Sequence, residues 1–280
     1  MVCGSNLKSL KRFGTDGKLH SKYRGDNTMK YMVSYCSERG KTKLACEDSA
    51  LIGRLVINDE AGTAELQTPF WICLCDGVGG NAGGQEASLF VARELSDCNA
   101  PGSAADVKCL FIEINNRLLE QAQKTSDHKL MATTATALFF SDKAVYLAHV
   151  GDTRLYAKDG ASVRQLTVDQ TAYQWFIDHH LRIFAGKRSR DGIYGGMGGG
   201  NGKRLKPLVV EQLPEGFSFR TMLLTSDGVH EYVSQTEIDE ILDRHVSIAD
   251  KTKMLCSAAL EHGSGDDRTA IMICAEDDPA

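Results

Sequence analysis

The chain has 280 residues, 42% of them hydrophobic and 25% charged, with a formal net charge of −5, which is the composition of a soluble globular protein able to build a sizeable core. No apolar run reaches the roughly 18 residues of a membrane span, and the N-terminal "MVCGSNLKSLKRFGTDGKLH" lacks the apolar stretch of a signal peptide, so a cytoplasmic protein with no membrane partner is expected. Nine cysteines, an odd number scattered along the chain, favour reduced thiols over a disulfide framework.

Residues 1–30 carry seven Lys/Arg against two Asp/Glu, so a charge of +5 sits on this arm and −10 on the other 250 residues. The arm reads as a basic, flexible extension ahead of one domain over 31–280, and nothing in it resembles a nucleic-acid module. "KLACEDSALIG" then sets Glu47 and Asp48 ahead of an apolar run. "FWICLC" reads as a strand and runs directly into Asp76 and the glycine-rich "GVGGNAGG". An Asp-Gly pair alone is an ordinary turn, and glycine-rich turns after strands also cradle phosphates. A phosphate cradle needs bare N–H groups and positive potential, whereas Asp76 places a hard anionic oxygen at the strand end, which suits Mg²⁺ or Mn²⁺. Cys73 and Cys75, two apart on one strand face, read as buried small hydrophobes rather than zinc ligands.

"GGQEASLFVARELSD" reads as a short helix, and Ala104 to Lys124 as a longer one, with Val107, Leu110, Phe111, Ile114 and Leu118 at helical spacing. "TATALFF", "AVYLAHV" and "RLYAK" read as strands; only Gly-Asp-Thr, carrying Asp152, separates the last two, which predicts an antiparallel hairpin. His149, on an alternating strand, reads as a packing residue. "DGIYGGMGGGNGKR", residues 191–204, is too rich in glycine for either periodicity. A Walker A motif fails there, because Met197 and Arg204 stand where glycine and Ser/Thr are required, and a mobile surface loop is expected. "TMLLTS" leads into Asp227, "SQTEIDEILDRH" and "ADKTKMLCSAALEHG" read as helices, and Asp266 precedes the strand "TAIMICA". Helices in blocks between strands, without strict βαβ alternation, imply sheets sandwiched between helix layers.

Carboxylates thus recur beside apolar strand ends at Glu47-Asp48, Asp76, Asp152, Asp227 and Asp266. Such acids are expensive to desolvate unless paired or metal-bound. With no thiolate or imidazole set at ligand spacing, they point to hard divalent ions, more than one, held by oxygen and water.

In order and spacing, "CEDS", "DGVGGNAGGQEAS", "ATTATALFF", "HVGDTRLY", "LTVDQT", "LLTSDGV" and "GDDRTAIMI" resemble the metal-dependent protein serine/threonine phosphatases of type 2C, the PPM family, and its bacterial members most. The resemblance covers roughly residues 31 to 275. It implies an α+β fold, a four-layer αββα sandwich of two packed antiparallel sheets flanked by helices. It also implies two Mn²⁺ or Mg²⁺ ions, with a possible third. By it Asp76 bridges both ions, the Gly77 carbonyl joins one, Asp227 and Asp266 hold the other, and Glu47 and Asp48 act mainly through bound water. Asp152 and Asp227 match the pair that holds the third ion in bacterial relatives. The implied reaction is hydrolysis of phosphoserine and phosphothreonine on proteins by a metal-bridging water or hydroxide, with no phosphoenzyme, in a monomer that opposes a serine/threonine kinase. The absence of any C-x₅-R arrangement agrees with this, since no cysteine has the arginine a thiolate mechanism would use.

The chain departs from the family at several places. Lys43 stands where an arginine usually grips the substrate phosphate, supplying charge but no two-pronged contact. Cys46, Val78, Asn81 and Gln170 replace Asn or His residues common in relatives, leaving the general acid unassigned. The alternative to an active phosphatase is a phosphatase-fold regulatory module that binds phosphorylated partners without turnover; retention of Asp76, Asp227 and Asp266 favours activity.

Overall fold

In the computed structural model, which describes residues 29–78, 83–124, 130–160, 162–185, 192–200 and 203–275, the apolar run at 70–75 forms β5 (Phe70–Asp76). Its alternation decides the layering. Phe70, Ile72 and Leu74 face a second sheet, and Trp71, Cys73 and Cys75 face helices. A strand buried on both faces reads as continuously apolar rather than alternating.

Before it come β1 (Lys30–Glu38), β2 (Asp48–Ile52), β3 (Leu55–Ile57) and β4 (Ala61–Gln67). After it come α1 (Gly84–Ser96), α2 (Ala104–Lys124), β6 (Ala132–Thr133), β7 (Ala135–Phe140), β8 (Val145–Val150), β9 (Arg154–Lys158), β10 (Val163–Gln165) and α3 (Ala172–Asp178). The remainder is β11 (Met197–Gly198), β12 (Val209–Gln212), β13 (Thr221–Thr225), α4 (Asp227–His230), α5 (Gln235–Leu242), α6 (Ile248–Glu261) and β14 (Arg268–Ala275). One six-stranded sheet has the order β10-β9-β13-β14-β1-β4 and the other β12-β8-β7-β5-β2-β3, while β11 and β6 make a small separate ladder. Every pairing is antiparallel.

Three buried clusters hold four layers together. Tyr31, Ile72, Phe140, Leu224 and Ile271 fill the space between the sheets. Val91, Leu95, Phe111, Ile114 and Leu118 of α1 and α2 cover the second sheet. Val229, Ile238, Ile241 and Leu255 of α4, α5 and α6 cover the first. This is the αββα sandwich expected from the resemblance. Cys73 and Cys75 lie fully buried with their sulfurs 3.5 Å apart in the α1–α2 layer, and the eight cysteines described are all free. No described helix is long and apolar enough to cross a membrane.

Two expectations fail. β8 and β9 form no hairpin, since β8 pairs with β7 and β12 and β9 with β10 and β13. The Gly151–Thr153 turn instead carries the chain from one sheet to the other. Gly151 has φ of 110°, a conformation that suits glycine, and the Thr153 hydroxyl bonds to that of Thr136 at 2.6 Å. The glycine-rich segment is likewise not a surface loop throughout. Gly195 to Gly198 are buried, and Met197 inserts into the α1–α2 cluster. Its neighbouring glycines let the backbone reach β6, where Gly198 donates to the Asn115 side chain at 2.8 Å. The basic arm lies outside the described residues except for Met29 and Lys30.

Candidate metal and phosphate site

Strand ends of both sheets converge at one edge of the sandwich. Asp48 opens β2 directly opposite Asp76, which closes β5. Asp227 follows β13 at the start of α4, and Asp266 lies just before β14. Lys43, Asp76, Gly77, Val78, Asp227, Gly228, Glu231 and Asp266 line a recess of about 350 Å³, with Ile193 and Tyr232 at its walls.

The backbone of Asp76 is fixed from two directions. Its carbonyl accepts from the Thr134 N–H at 2.8 Å and the Thr133 hydroxyl at 2.9 Å, and its own N–H donates to the Thr134 hydroxyl at 3.0 Å. The first two threonines of "ATTATALFF" therefore serve as holders of this carboxylate's backbone. Gly77 donates to the Glu47 carbonyl at 3.0 Å. A Cβ there would lie 2.7 Å from that oxygen and 2.5 Å from the Gly84 carbonyl carbon, both backbone atoms, so only glycine lets the three segments meet. Behind this corner Val78 donates to Ala132 of β6, which pairs with β11. The glycine-rich segment thus supports the corner from the rear. Gly79, Gly80 and Asn81 lie outside the described residues.

Electrostatically the recess is overloaded with negative charge. Burial, then repulsion from Asp48, Asp227, Asp152 and Asp266, raises the carboxyl of Asp76 well above the usual range. Asp152, 5% exposed, is raised by burial and then by Asp227. Asp227 is pushed up to about 7 by burial and then by Asp266 and Glu231. Asp48 is pushed up to about 8, mainly by burial and with Asp267 and Asp227 adding, although the Thr269 hydroxyl donates to it at 2.7 Å. Asp152 Oδ1 is buried with no hydrogen-bond partner among the described residues. Carboxylates crowded in this way are stabilised by a cation. Hard carboxylate oxygens around one recess, with the orphaned Asp152 Oδ1 behind them, suit divalent ions of the Mg²⁺ or Mn²⁺ kind. Among the described residues no group of three or more His, Cys, Asp or Glu side chains is placed to hold a metal ion by itself.

The structure therefore brings together Lys43, Glu47, Asp48, Asp76, Gly77, Asp227 and Asp266, and places Asp152 behind them at the crossing between sheets. Lys43 Nζ lies 3.0 Å from Glu47 Oε2 and 3.1 Å from Asp267 Oδ2 and pairs with Asp266 Oδ1, and these acids hold its ammonium protonated against the opposing effect of burial. Asp267 escaped the sequence reading. It is 2% exposed, and its carboxylate accepts from the Gly40 and Glu47 N–H groups at 2.7 Å each, which pins the loop bearing Lys43 and Glu47. The doubled acid in "GDDR" was the available signal. Cys46 is buried and its thiol pushed up to about 12 by that burial, so it packs rather than reacts. His149 has both ring nitrogens occupied, by Thr136 at 2.9 Å and the Val168 carbonyl at 3.0 Å. Gln170 accepts from the Gly151 N–H and donates to the Pro207 carbonyl, tying the crossing turn in place.

Residues 48–262 match the family model described as Protein phosphatase 2C. The chain belongs to the protein phosphatase 2C family. With that family comes its enzyme class, protein serine/threonine phosphatase. The serine/threonine phosphatase stp of Listeria welshimeri is 28% identical over 221 residues, which span 72% of this phosphatase and 83% of that protein. The serine/threonine protein phosphatase PstP of Mycobacterium tuberculosis is 27% identical over 240 residues, 84% of this phosphatase and 43% of PstP. Among solved structures, a bacterial serine phosphatase superposes with a TM-score of 0.74 at 26% identity, covering 89% of this phosphatase and 99% of that chain. The catalytic domain of PstP in complex with two manganese ions gives 0.69 at 27% identity, with 89% and 100% covered.

Proposed function

We propose that the chain hydrolyses phosphoserine and phosphothreonine on proteins with two Mn²⁺ or Mg²⁺ ions held in this recess. The observation that carries the reading is the meeting of Asp76 with Asp227 and Asp266, from opposite sheets, around one open space where Lys43 pairs with Asp266 but not with Asp76 or Asp227. In this assignment Asp76, the Gly77 carbonyl, Asp227 and Asp266 would hold the ions directly, Asp227 and Asp266 at one of them. Glu47 and Asp48 contribute through water, while Asp152 with Asp227 offers a third, weaker place. When bound, such ions lower the pKa of water toward neutrality and screen the phosphate for in-line displacement without a phosphoenzyme.

The chain's own residues do the positioning. Thr133 and Thr134 fix Asp76, Asp267 fixes the loop of Lys43 and Glu47, and Gly228 brings the start of α4 against the Asp266–Asp267 turn. Lys43 supplies positive charge beside the acids at the mouth, where a phosphate enters. Phosphorylated proteins, the products of a serine/threonine kinase, are the corresponding substrates, and the listerial and mycobacterial relatives named as serine/threonine phosphatases support that class. The test is hydrolysis of p-nitrophenyl phosphate and a phosphothreonine peptide by exhaustively chelated protein, with Mn²⁺, Mg²⁺ or Ca²⁺ added back. Turnover is expected only with added Mn²⁺ or Mg²⁺; full activity after chelation refutes the metal assignment, and no turnover with any ion supports the binding module instead.

A further inference from the structure

Lys43 is the cation that the recess itself provides, and its placement is lopsided. It pairs with Asp266, Glu47 and Asp267, and with neither Asp76 nor Asp48. Asp267 is already engaged by two backbone N–H groups, so it acts as the anchor of the ammonium. Asp266, 42% exposed at its side chain, is the acid that the proposed function gives to an ion. A carboxylate oxygen shared with an ammonium offers less charge to a metal, and a unit positive charge a few ångströms away repels a divalent one. Lysine, unlike arginine, is a point charge on a flexible stem and can swing between partners.

We infer that Lys43 competes for Asp266 and Glu47 with the ion assigned to Asp227 and Asp266, here the outer ion, so that this one side chain makes it the weaker of the main pair and passes to the substrate phosphate when it binds. The inference rests on the proposed metal site. By linkage, phosphate that draws Lys43 away must tighten the outer ion, and the ion must tighten phosphate by the same factor.

The experiment is calorimetric titration of the chelated full chain with Mn²⁺, comparing wild type, Lys43→Met and Lys43→Arg, each with and without inorganic phosphate. Lys43→Met is expected to tighten the weaker Mn²⁺ step about tenfold or more, the direction set by losing a nearby positive charge, and to leave the tighter step unchanged. Lys43→Arg keeps the charge and should stay close to wild type. Phosphate should tighten the weaker step in the wild type and not in Lys43→Met. In EDTA the melting temperature of Lys43→Met should fall, since the brace between the 40–47 loop and the Asp266–Asp267 turn is gone. If Lys43→Met does not fold, Lys43→Gln, which keeps amide donors without charge, takes its place. An unchanged or weakened outer step in the neutral variant overturns the competition. Absence of Mn²⁺ binding in every variant, wild type included, overturns the metal site on which it rests.

Discussion

Replacing Gly228 by alanine should disable the site through the backbone alone. A Cβ on Gly228 would overlap the Asp267 carbonyl oxygen, stand 2.9 Å from its carbon and lie 3.3 Å from Asp266 Cβ. Carbon pairs are comfortable at about 3.5–4.0 Å and the overlap with the oxygen is worse still, so the turn and the start of α4 must separate by roughly 1 Å or more. Neither is free to do so: the Ser264 hydroxyl donates to the Gly228 carbonyl at 2.8 Å, and Asp267 is pinned by Gly40 and Glu47. Overpacking of this kind costs about 1–3 kcal/mol, and in a domain of this size each 1 kcal/mol lowers Tm by about 2–4 °C. The chemical cost is larger, because a displacement of about 1 Å at a reacting centre reduces rate on the order of 10²-fold. Gly265 sits in the same turn, and a Cβ there meets nothing within 4 Å, so Gly265→Ala is the matched control and should stay within about 0.5 kcal/mol of wild type. Initial rates on p-nitrophenyl phosphate at saturating Mn²⁺, with thermal melts in EDTA, decide the point. If Gly228→Ala keeps kcat within about threefold of wild type, well under the expected loss, the reasoning about the turn is refuted.

Asp76→Asn should lower kcat by about three orders of magnitude or more, through loss of an anionic ligand, while circular dichroism stays native; retention of a tenth of the activity, a loss below about 1.4 kcal/mol, would remove Asp76 from the centre. Phe111→Ala, at a fully buried position of α2, should cost about 3–5 kcal/mol in urea unfolding, and a loss below about 1 kcal/mol would contradict the α2 packing. In thiol labelling of the native protein, exposed Cys109 should react rapidly and buried Cys73 and Cys75 only on unfolding, as mass spectrometry of the labelled peptides would show; rapid native labelling of either buried thiol would contradict the β5 layer.

Where the sequence was legible, one residue face carried the information. α2 spans Ala104–Lys124 as its spacing required, because Val107, Phe111, Ile114 and Leu118 all turn to one sheet. β5 and β14 were readable because strands buried on both faces leave long apolar runs. β4, "AGTAELQ", was not, since a half-exposed edge strand made of small and polar residues has little β-propensity of its own. The error at Gly151–Thr153 has a different source. A tight turn signals a change of direction, and only the tertiary partners, Val209 and Thr136 beside His149 on one side and Thr225 beside Arg154 on the other, decide which sheet the departing strand joins. The acids of the site were visible as costly residues at strand ends. Asp267 was not distinguished from Asp266, because adjacent carboxylates look alike until one points at backbone N–H groups and the other at an open recess.

The crossing at Gly151–Thr153 and the origin of the acids in opposite sheets have a consequence for how the molecule comes into being. Asp76 and Asp266 are separated by 190 positions of chain and meet only after the two sheets have docked over Ile72, Phe140, Leu224 and Ile271. Each half of the polypeptide carries only part of the site, Glu47, Asp48 and Asp76 in one and Asp227 and Asp266 in the other. Contacts of such long sequence separation form late and make folding slow, and an ion that favours the assembled state stabilises the docked sheets by mass action. A bound cation would then be a rivet between layers as well as a reagent, and its removal would loosen the sandwich as well as end turnover.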